Sequence, residues 1–161
     1  MTAISHPIPP VYDERSEILI LGTFPSVKSR EAQFYYGHPQ NSFWRVAAAV
    51  FEQETPRTIE EKKEFLLRNR IALWDVVASC EIEGSSDQSI RNAVPNDLTP
   101  ILRTANIRQI FVNGRKAEQL YNQLIAPRIG RKAVRLPSTS PANAAKSLEQ
   151  LIREWSIIRS C

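Results

Sequence analysis

Ile18-Leu19-Ile20-Leu21 runs without a polar residue into Gly22, and no stretch restricts the fold more tightly. A short apolar run closed by a turn residue is the pattern of a strand covered on both faces, as in a parallel sheet. Three more candidate strands follow at residues 71–78, 107–112 and 132–136, the first of these apolar except for Asp75. Between them the spacing turns helical. Phe43, Val46, Ala47, Val50 and Phe51 share one helix face behind a cap at Asn41 or Ser42. Thr58-Ile59-Glu60-Glu61 has the form of a capping box and opens a second helix to about residue 69. A third helix starts at Asn96 or Asp97, and a fourth covers residues 115–124. A last one follows Ser140 as cap and Pro141 at its first position, with Ala144, Leu148, Leu151, Ile152 and Trp155 on one face. The order β, αα, β, α, β, α, β, α predicts an α/β fold, a three-layer α/β/α sandwich with a four-stranded, mostly parallel central sheet. Ligands of such sheets bind beyond the carboxyl ends of the strands, so the loops after Gly22, Asp75 and Leu136 are expected to meet in one cleft.

A chain of 161 residues can close such a core as one domain. Residues 1–17, with three prolines, read as an extended lead-in on the surface carrying no chemistry, and residues 18–161 as the single functional domain. Residues 81–96 read as an irregular polar loop. No run approaches the roughly 18 apolar residues of a membrane span, and the start has no secretory pattern, so the expectation is a cytoplasmic protein without a membrane partner. Cys80 and Cys161 form no C-x-x-C pair and are expected to be free thiols, with no metal site and no cofactor. The formal charge is +4, but unevenly spread. Residues 1–100 hold 10 Lys and Arg against 14 Asp and Glu, and residues 101–161 hold 11 against 3, a net +8 that suits a polyanionic partner.

Residues 34–44, FYYGHPQNSFW, concentrate five aromatics, a histidine and an asparagine. Aromatic faces stack on planar ligands and an amide both donates and accepts, a combination suited to a flat heterocycle. Within it His38 is a structural histidine or a base, and Asn41 a helix cap or a catalytic amide. Asp75, a carboxylate ending an apolar strand, needs a partner or a role. The turn Gly22-Thr23-Phe24-Pro25-Ser26 is no nucleotide-binding glycine loop. Ser138, Thr139 and Ser140 at an expected helix N-terminus would suit phosphates.

Those four stretches, in this order and spacing, resemble the hypoxanthine-DNA (deoxyinosine) glycosylase branch of the uracil-DNA glycosylase superfamily, over nearly the whole chain from Ile18 to Trp155. The resemblance implies an α/β/α enzyme that flips a damaged base into a pocket and hydrolyses its N-glycosidic bond without a metal. Most relatives carry G-x-D-P or G-x-N-P in the first motif, whose Asp or Asn activates water; here that place is Phe24, followed by Pro25. Tyr36 matches the aromatic that stacks on the base, twelve residues further on. His38-Pro39, Asn41, Phe43 and Trp44 match a shared H-P-x-N-x-F-W, and in the hypoxanthine branch this Asn is the catalytic one. Asp75 stands where uracil-excising members carry the Asn that reads the base. In the final motif, residues 138–143, Ser138 replaces a His and Ala142 a wedging Leu.

The resemblance therefore implies Asn41 as the catalytic residue and Thr23, Phe24, Tyr36 and Asp75 around the base. Ser138, Ser140, Ala142 and Asn143 would lie along phosphates or the minor groove, with Pro25 and His38 in support. The implied partner is double- or single-stranded DNA containing a deaminated base, and a monomer is expected. Hypoxanthine presents N1–H beside O6, which a carboxylate can accept, whereas adenine's N1 is itself an acceptor. Two rivals are a glycosylase for uracil or other deaminated bases, and a non-catalytic nucleic-acid-binding module that kept the cleft.

Overall fold

The apolar run after Glu17 does form a strand buried along its whole length. The computed structural model describes residues 2–160; Cys161 lies outside the described residues. The strands are β1 (Ala3–Ser5), β2 (Ile18–Gly22), β3 (Ile71–Asp75), β4 (Val77–Glu81), β5 (Arg91–Pro95), β6 (Gln109–Asn113) and β7 (Ala133–Leu136). The helices are α1 (Val27–Ala32), α2 (Phe43–Val50), α3 (Ile59–Arg68), α4 (Thr99–Thr104), α5 (Arg115–Leu120), α6 (Ala126–Ile129) and α7 (Leu148–Trp155). Strands β3, β2, β6 and β7 lie in that order in one sheet, every neighbouring pair parallel. The α/β fold with a four-stranded parallel sheet is thus as the alternation of patterns implies.

Successive side chains of a strand point to opposite faces, and the core divides accordingly. Ile18, Ile20, Ile71 and Leu73 face Phe43, Phe65, Leu66 and Trp155 from α2, α3 and α7. Leu19, Leu21, Ala72 and Val112 face Ile101, Ala117 and Tyr121 on the other side. Of the five aromatics in residues 34–44, Phe34, Tyr35, Phe43 and Trp44 are buried, and only Tyr36 is partly exposed. That segment is mostly core, with one ring left for the cleft.

Several expectations need correcting. The lead-in expected over residues 1–17 is, from Thr2 onward, not superficial. β1 pairs antiparallel with β4, Ile8 and Val11 are buried, and Val11 exchanges backbone hydrogen bonds with Leu73. The run at 71–78 is two strands. β3 ends at Asp75, and β4 crosses into a second, antiparallel sheet of order β1-β4-β5. Residues 81–96, read as a loop, contain a 3₁₀ turn (Asp87–Ser89) and β5, an edge strand whose mostly exposed side chains give no alternating signal. α1 follows Ser26, whose hydroxyl accepts the Ser29 N–H. The third helix starts at Thr99. The fourth turns π-helical at Tyr121–Ile125 just ahead of Pro127, whose missing N–H an unbroken α-helix could not supply.

No helix starts at Ser140. Asn143 Nδ2 donates to the Ser138 carbonyl at 2.9 Å and closes a turn, and α7 begins only at Leu148, where Ser147 and Gln150 form a reciprocal capping box.

Trp155 anchors α7 against the sheet. It is fully buried, meets Phe43 edge-on at 5.7 Å between centroids, and donates its indole N–H to the Pro137 carbonyl at 2.8 Å. Trp155→Ala removes both the packing and the tether to the segment after β7. A loss of about 3 to 5 kcal/mol in urea unfolding is expected.

Candidate active site

The carboxyl ends of β2, β3, β6 and β7 open into one cleft of about 570 Å³, floored by the Gly22 turn and walled by the aromatic segment, the loop after β4 and residues 138–143. The Gly22 turn and the segment after β7 meet there as expected, with Asp75 at the end of β3, but no loop follows Asp75 because β4 begins at Val77, and the loop after β4 supplies that wall instead. Thr23, Phe24, Pro25, Tyr36, His38, Asn41, Asp75, Ser138, Ser140, Ala142 and Asn143 all line it.

Asp75 is set by sheet register. β2 and β3 pair Gly22 with Asp75, and the carboxylate folds across the strand onto the glycine. A Cβ on residue 22 would overlap Asp75 Oδ1 and come within 2.9 Å of Tyr36 Oη. Glycine is therefore required for close approach, here at ordinary φ. Asp75 is 4% exposed, and its Oδ2 lies 2.8 Å from Nε2 of His6. The His6 Nδ1 accepts the Ile8 N–H at 3.2 Å, which leaves Nε2 as the nitrogen that donates to Asp75. The imidazole sits among Phe24, Tyr35 and Trp74 at 5.8 to 6.4 Å between centroids. Sequence reasoning missed His6 because it lies 69 residues from Asp75 in a segment that reads as a polar lead-in.

Tyr36 adopts a left-handed backbone (φ 52°), and its ring stacks on Phe43 at 4.2 Å and 15°. Burial, and then the nearby Asp75 charge, push its phenol well above the ordinary tyrosine range, so it stays protonated. Its oxygen accepts from Asn113 Nδ2 at 3.2 Å. Asn41 Oδ1 accepts the Phe43 N–H at 2.9 Å, while Ser42, at the cap position, makes no such bond with its side chain. The cap-like bond fixes the plane of the Asn41 amide and leaves its oxygen one further lone pair. His38 Nδ1 accepts the Gln40 N–H at 3.1 Å, and the His38 carbonyl accepts the Asn41 N–H at 2.9 Å, so it builds the turn that presents Asn41.

The wall at residues 138–143 hangs on Thr139. Its backbone N–H donates to Asn113 Oδ1 at 3.1 Å, its hydroxyl accepts from Asn113 Nδ2 at 3.0 Å, and its carbonyl accepts the Ser42 N–H at 3.0 Å. Asn113 therefore joins Tyr36 to this wall, a role invisible in the sequence because its partners are 77 and 26 residues away. Ser138 Oγ accepts the Ser140 N–H and Ser140 Oγ the Ala142 N–H, at 3.1 and 3.2 Å. Both hydroxyl oxygens are used in the turn while their O–H groups can still donate. Ala142 lies exposed at the rim.

Asp87 was also missed, hidden in a polar loop. That loop is tied to α1 by the Val27 N–H donating to Ser85 Oγ at 2.9 Å and by Arg30 Nη2 donating to the Gly84 carbonyl at 3.0 Å. Burial in the cleft pushes the Asp87 carboxyl up to about 6, the charge of Asp75 adding to the rise, against a hydrogen bond from Thr23 and the charge of Lys116.

The model of the uracil DNA glycosylase superfamily matches residues 9–158, and the chain belongs to that superfamily. It is 42% identical over 159 residues to the hypoxanthine DNA glycosylase of Methanosarcina acetivorans, covering 96% of this chain and 98% of the relative. It is 34% identical over 150 residues to the protein of the same name from Methanosarcina barkeri, covering 92% and 93%. The solution NMR structure of a Methanosarcina acetivorans protein assigned as a uracil DNA glycosylase superposes with a TM-score of 0.82 at 35% identity, over 99% of this chain and 98% of that one. Membership implies a DNA substrate. Among the described residues no helix is long and apolar enough to cross a membrane.

Burial of the Asp87 carboxyl couples stability to pH. A carboxyl whose pKa rises on folding favours the fold when protonated, and that contribution is complete below about 4 and lost as pH rises through about 6. Asp87→Asn carries no charge at any pH. Its melting temperature relative to the parent should therefore rise from pH 4 to pH 8, followed by calorimetry; a constant offset would place Asp87 in open solvent.

Proposed function

We propose that the protein is a monofunctional DNA glycosylase that hydrolyses the N-glycosidic bond of a flipped hypoxanthine, the deaminated base of deoxyinosine, as the first step of base excision repair. The observation that carries this reading is Asp75, a buried carboxylate with one oxygen taken by His6 and the other lying over Gly22 in the cleft. A single fixed acceptor suits the N1–H of hypoxanthine and repels the N1 lone pair of adenine. The names of the two Methanosarcina relatives agree with it.

In this mechanism the nucleotide leaves the duplex and its base stacks on Tyr36, itself backed by Phe43. Thr23 and Phe24 floor the base pocket and Pro25 shapes the turn. The C1′–N9 bond lengthens, its electron pair leaving with the purine, and charge builds on the sugar. The Asn41 amide holds the attacking water. With Oδ1 already bound to the Phe43 N–H, its orientation is set before substrate arrives, and orientation rather than basicity is what an amide supplies. Water adds to C1′ and gives up a proton to solvent, the departing purine anion takes one up from solvent, and the products are the neutral free base and an abasic site. No lysine amine is among the described cleft residues, so strand cleavage through a Schiff base has no nucleophile there.

The turn at 138–143 would hold phosphates through the free O–H groups of Ser138 and Ser140, with Asn143 and Ala142 toward the minor groove. The helix N-terminus expected to help is absent, so this grip rests on hydroxyls and the basic second part of the chain. We take the enzyme to act as a monomer, in the cytoplasm, on DNA carrying a deaminated base, with residues 2–17 folded onto the catalytic domain.

The test is excision from a hypoxanthine-containing duplex, read after alkaline cleavage of abasic sites. Asn41→Ala should lower the single-turnover rate by roughly 100-fold with DNA affinity nearly intact. An unchanged rate would remove Asn41 from the chemistry, and no excision by the parent on any deaminated base would favour a binding module. Ser140→Ala should instead weaken binding to damaged and undamaged duplexes alike, measured by titration at fixed salt. A loss confined to hypoxanthine-containing DNA would put Ser140 in base recognition.

A further inference from the structure

We infer that His6 is a positioning residue for Asp75, and through it a determinant of which base the cleft accepts. This rests on the reading of Asp75 as the base acceptor. A lone carboxylate rotates about its Cβ–Cγ bond and offers either oxygen in several directions. Here His6 Nε2–H occupies Oδ2 at 2.8 Å, and the imidazole cannot turn, because the Ile8 N–H holds its Nδ1 and three aromatic rings surround it. What remains for a ligand is Oδ1, poised over Gly22 near Tyr36 Oη.

The histidine is not needed merely to fasten the N-terminal segment. Backbone pairing of β1 with β4, the His6 N–H on the Ala78 carbonyl at 2.7 Å, the Val11 bridge to Leu73, and Tyr35 Oη on the Pro9 carbonyl at 2.9 Å already do that. The imidazole is added to this frame at the one place where it meets the cleft carboxylate. It supplies a donor from the side away from the base, so the acceptor count facing the base is one. A base offering a donor there is kept. One offering a lone pair is refused, and the carboxylate cannot swing to relieve the repulsion.

His6→Phe keeps a ring in the aromatic box and deletes the donor; His6→Gln keeps a donor on a flexible chain. Single-turnover excision of hypoxanthine should fall about 10- to 100-fold in His6→Phe, the cost of a misplaced group, and recover in part in His6→Gln. The decisive readout is a double-mutant cycle with Asp75→Ala. If His6 acts through Asp75, adding His6→Phe to Asp75→Ala changes the excision rate less than twofold. Multiplying losses would mean that His6 works independently, and a parental rate in His6→Phe would overturn the inference while leaving Asp75 as the reader. A parental rate in Asp75→Ala would instead sink the base-reading role itself, and this inference with it. Should His6→Phe fail to fold, the same cycle run with His6→Gln decides by whether its loss vanishes on Asp75→Ala.

Discussion

The cleft depends on one close approach, the Asp75 carboxylate lying across Gly22. Parallel pairing of β2 with β3 puts these two residues side by side at the point where both strands end. Any side chain at residue 22 would occupy the space of Asp75 Oδ1 and crowd the Tyr36 hydroxyl. The sheet thus delivers a buried charge to the cleft floor, and burial of a charge is tolerated only when it is hydrogen-bonded. His6 meets that demand from a segment before the first sheet strand.

A second network fixes the opposite wall. Thr139 is nearly inaccessible and bonds to Asn113 from β6 and to Ser42 at the start of α2, which ties the turn at 138–143 to both the sheet and that helix. Asn113 also reaches the Tyr36 hydroxyl. Tyr36, the start of α2 at Ser42 and the turn at 138–143 are consequently joined through one asparagine, Asn113, and one threonine, Thr139. Preorganisation of this kind is how a site lacking a strong base can still lower a barrier.

Much of this was legible in the sequence where the physics is local. Ile18 to Leu21, the helix face of Phe43, Val46, Ala47 and Val50, and the Thr58 to Glu61 capping box all follow from periodicity or from contacts three or four residues apart, and the α/β layers follow from their order. What stayed hidden is long-range. β1 and β5 are edge strands that bury little and leave no alternating pattern. His6 and Asn113 owe their places to strand register, and Asp87 to a loop tied onto α1 by Arg30. The helix expected at Ser140 shows local rules competing: Ser-Pro is a sound start signal, but Ser147 with Gln150 is a complete capping box, and Asn143 commits the intervening residues to a turn.

Whether Asp75 reads the base is tested most directly by the excision of hypoxanthine by Asp75→Asn. The variant keeps the shape, and its amide oxygen can accept the His6 N–H as the carboxylate does, which turns the NH₂ toward the base and replaces the acceptor by a donor. Single-turnover excision from a hypoxanthine duplex should then be lost with little change in melting temperature. Excision at the parental rate would contradict the claim and assign base recognition to the backbone of the Gly22 turn.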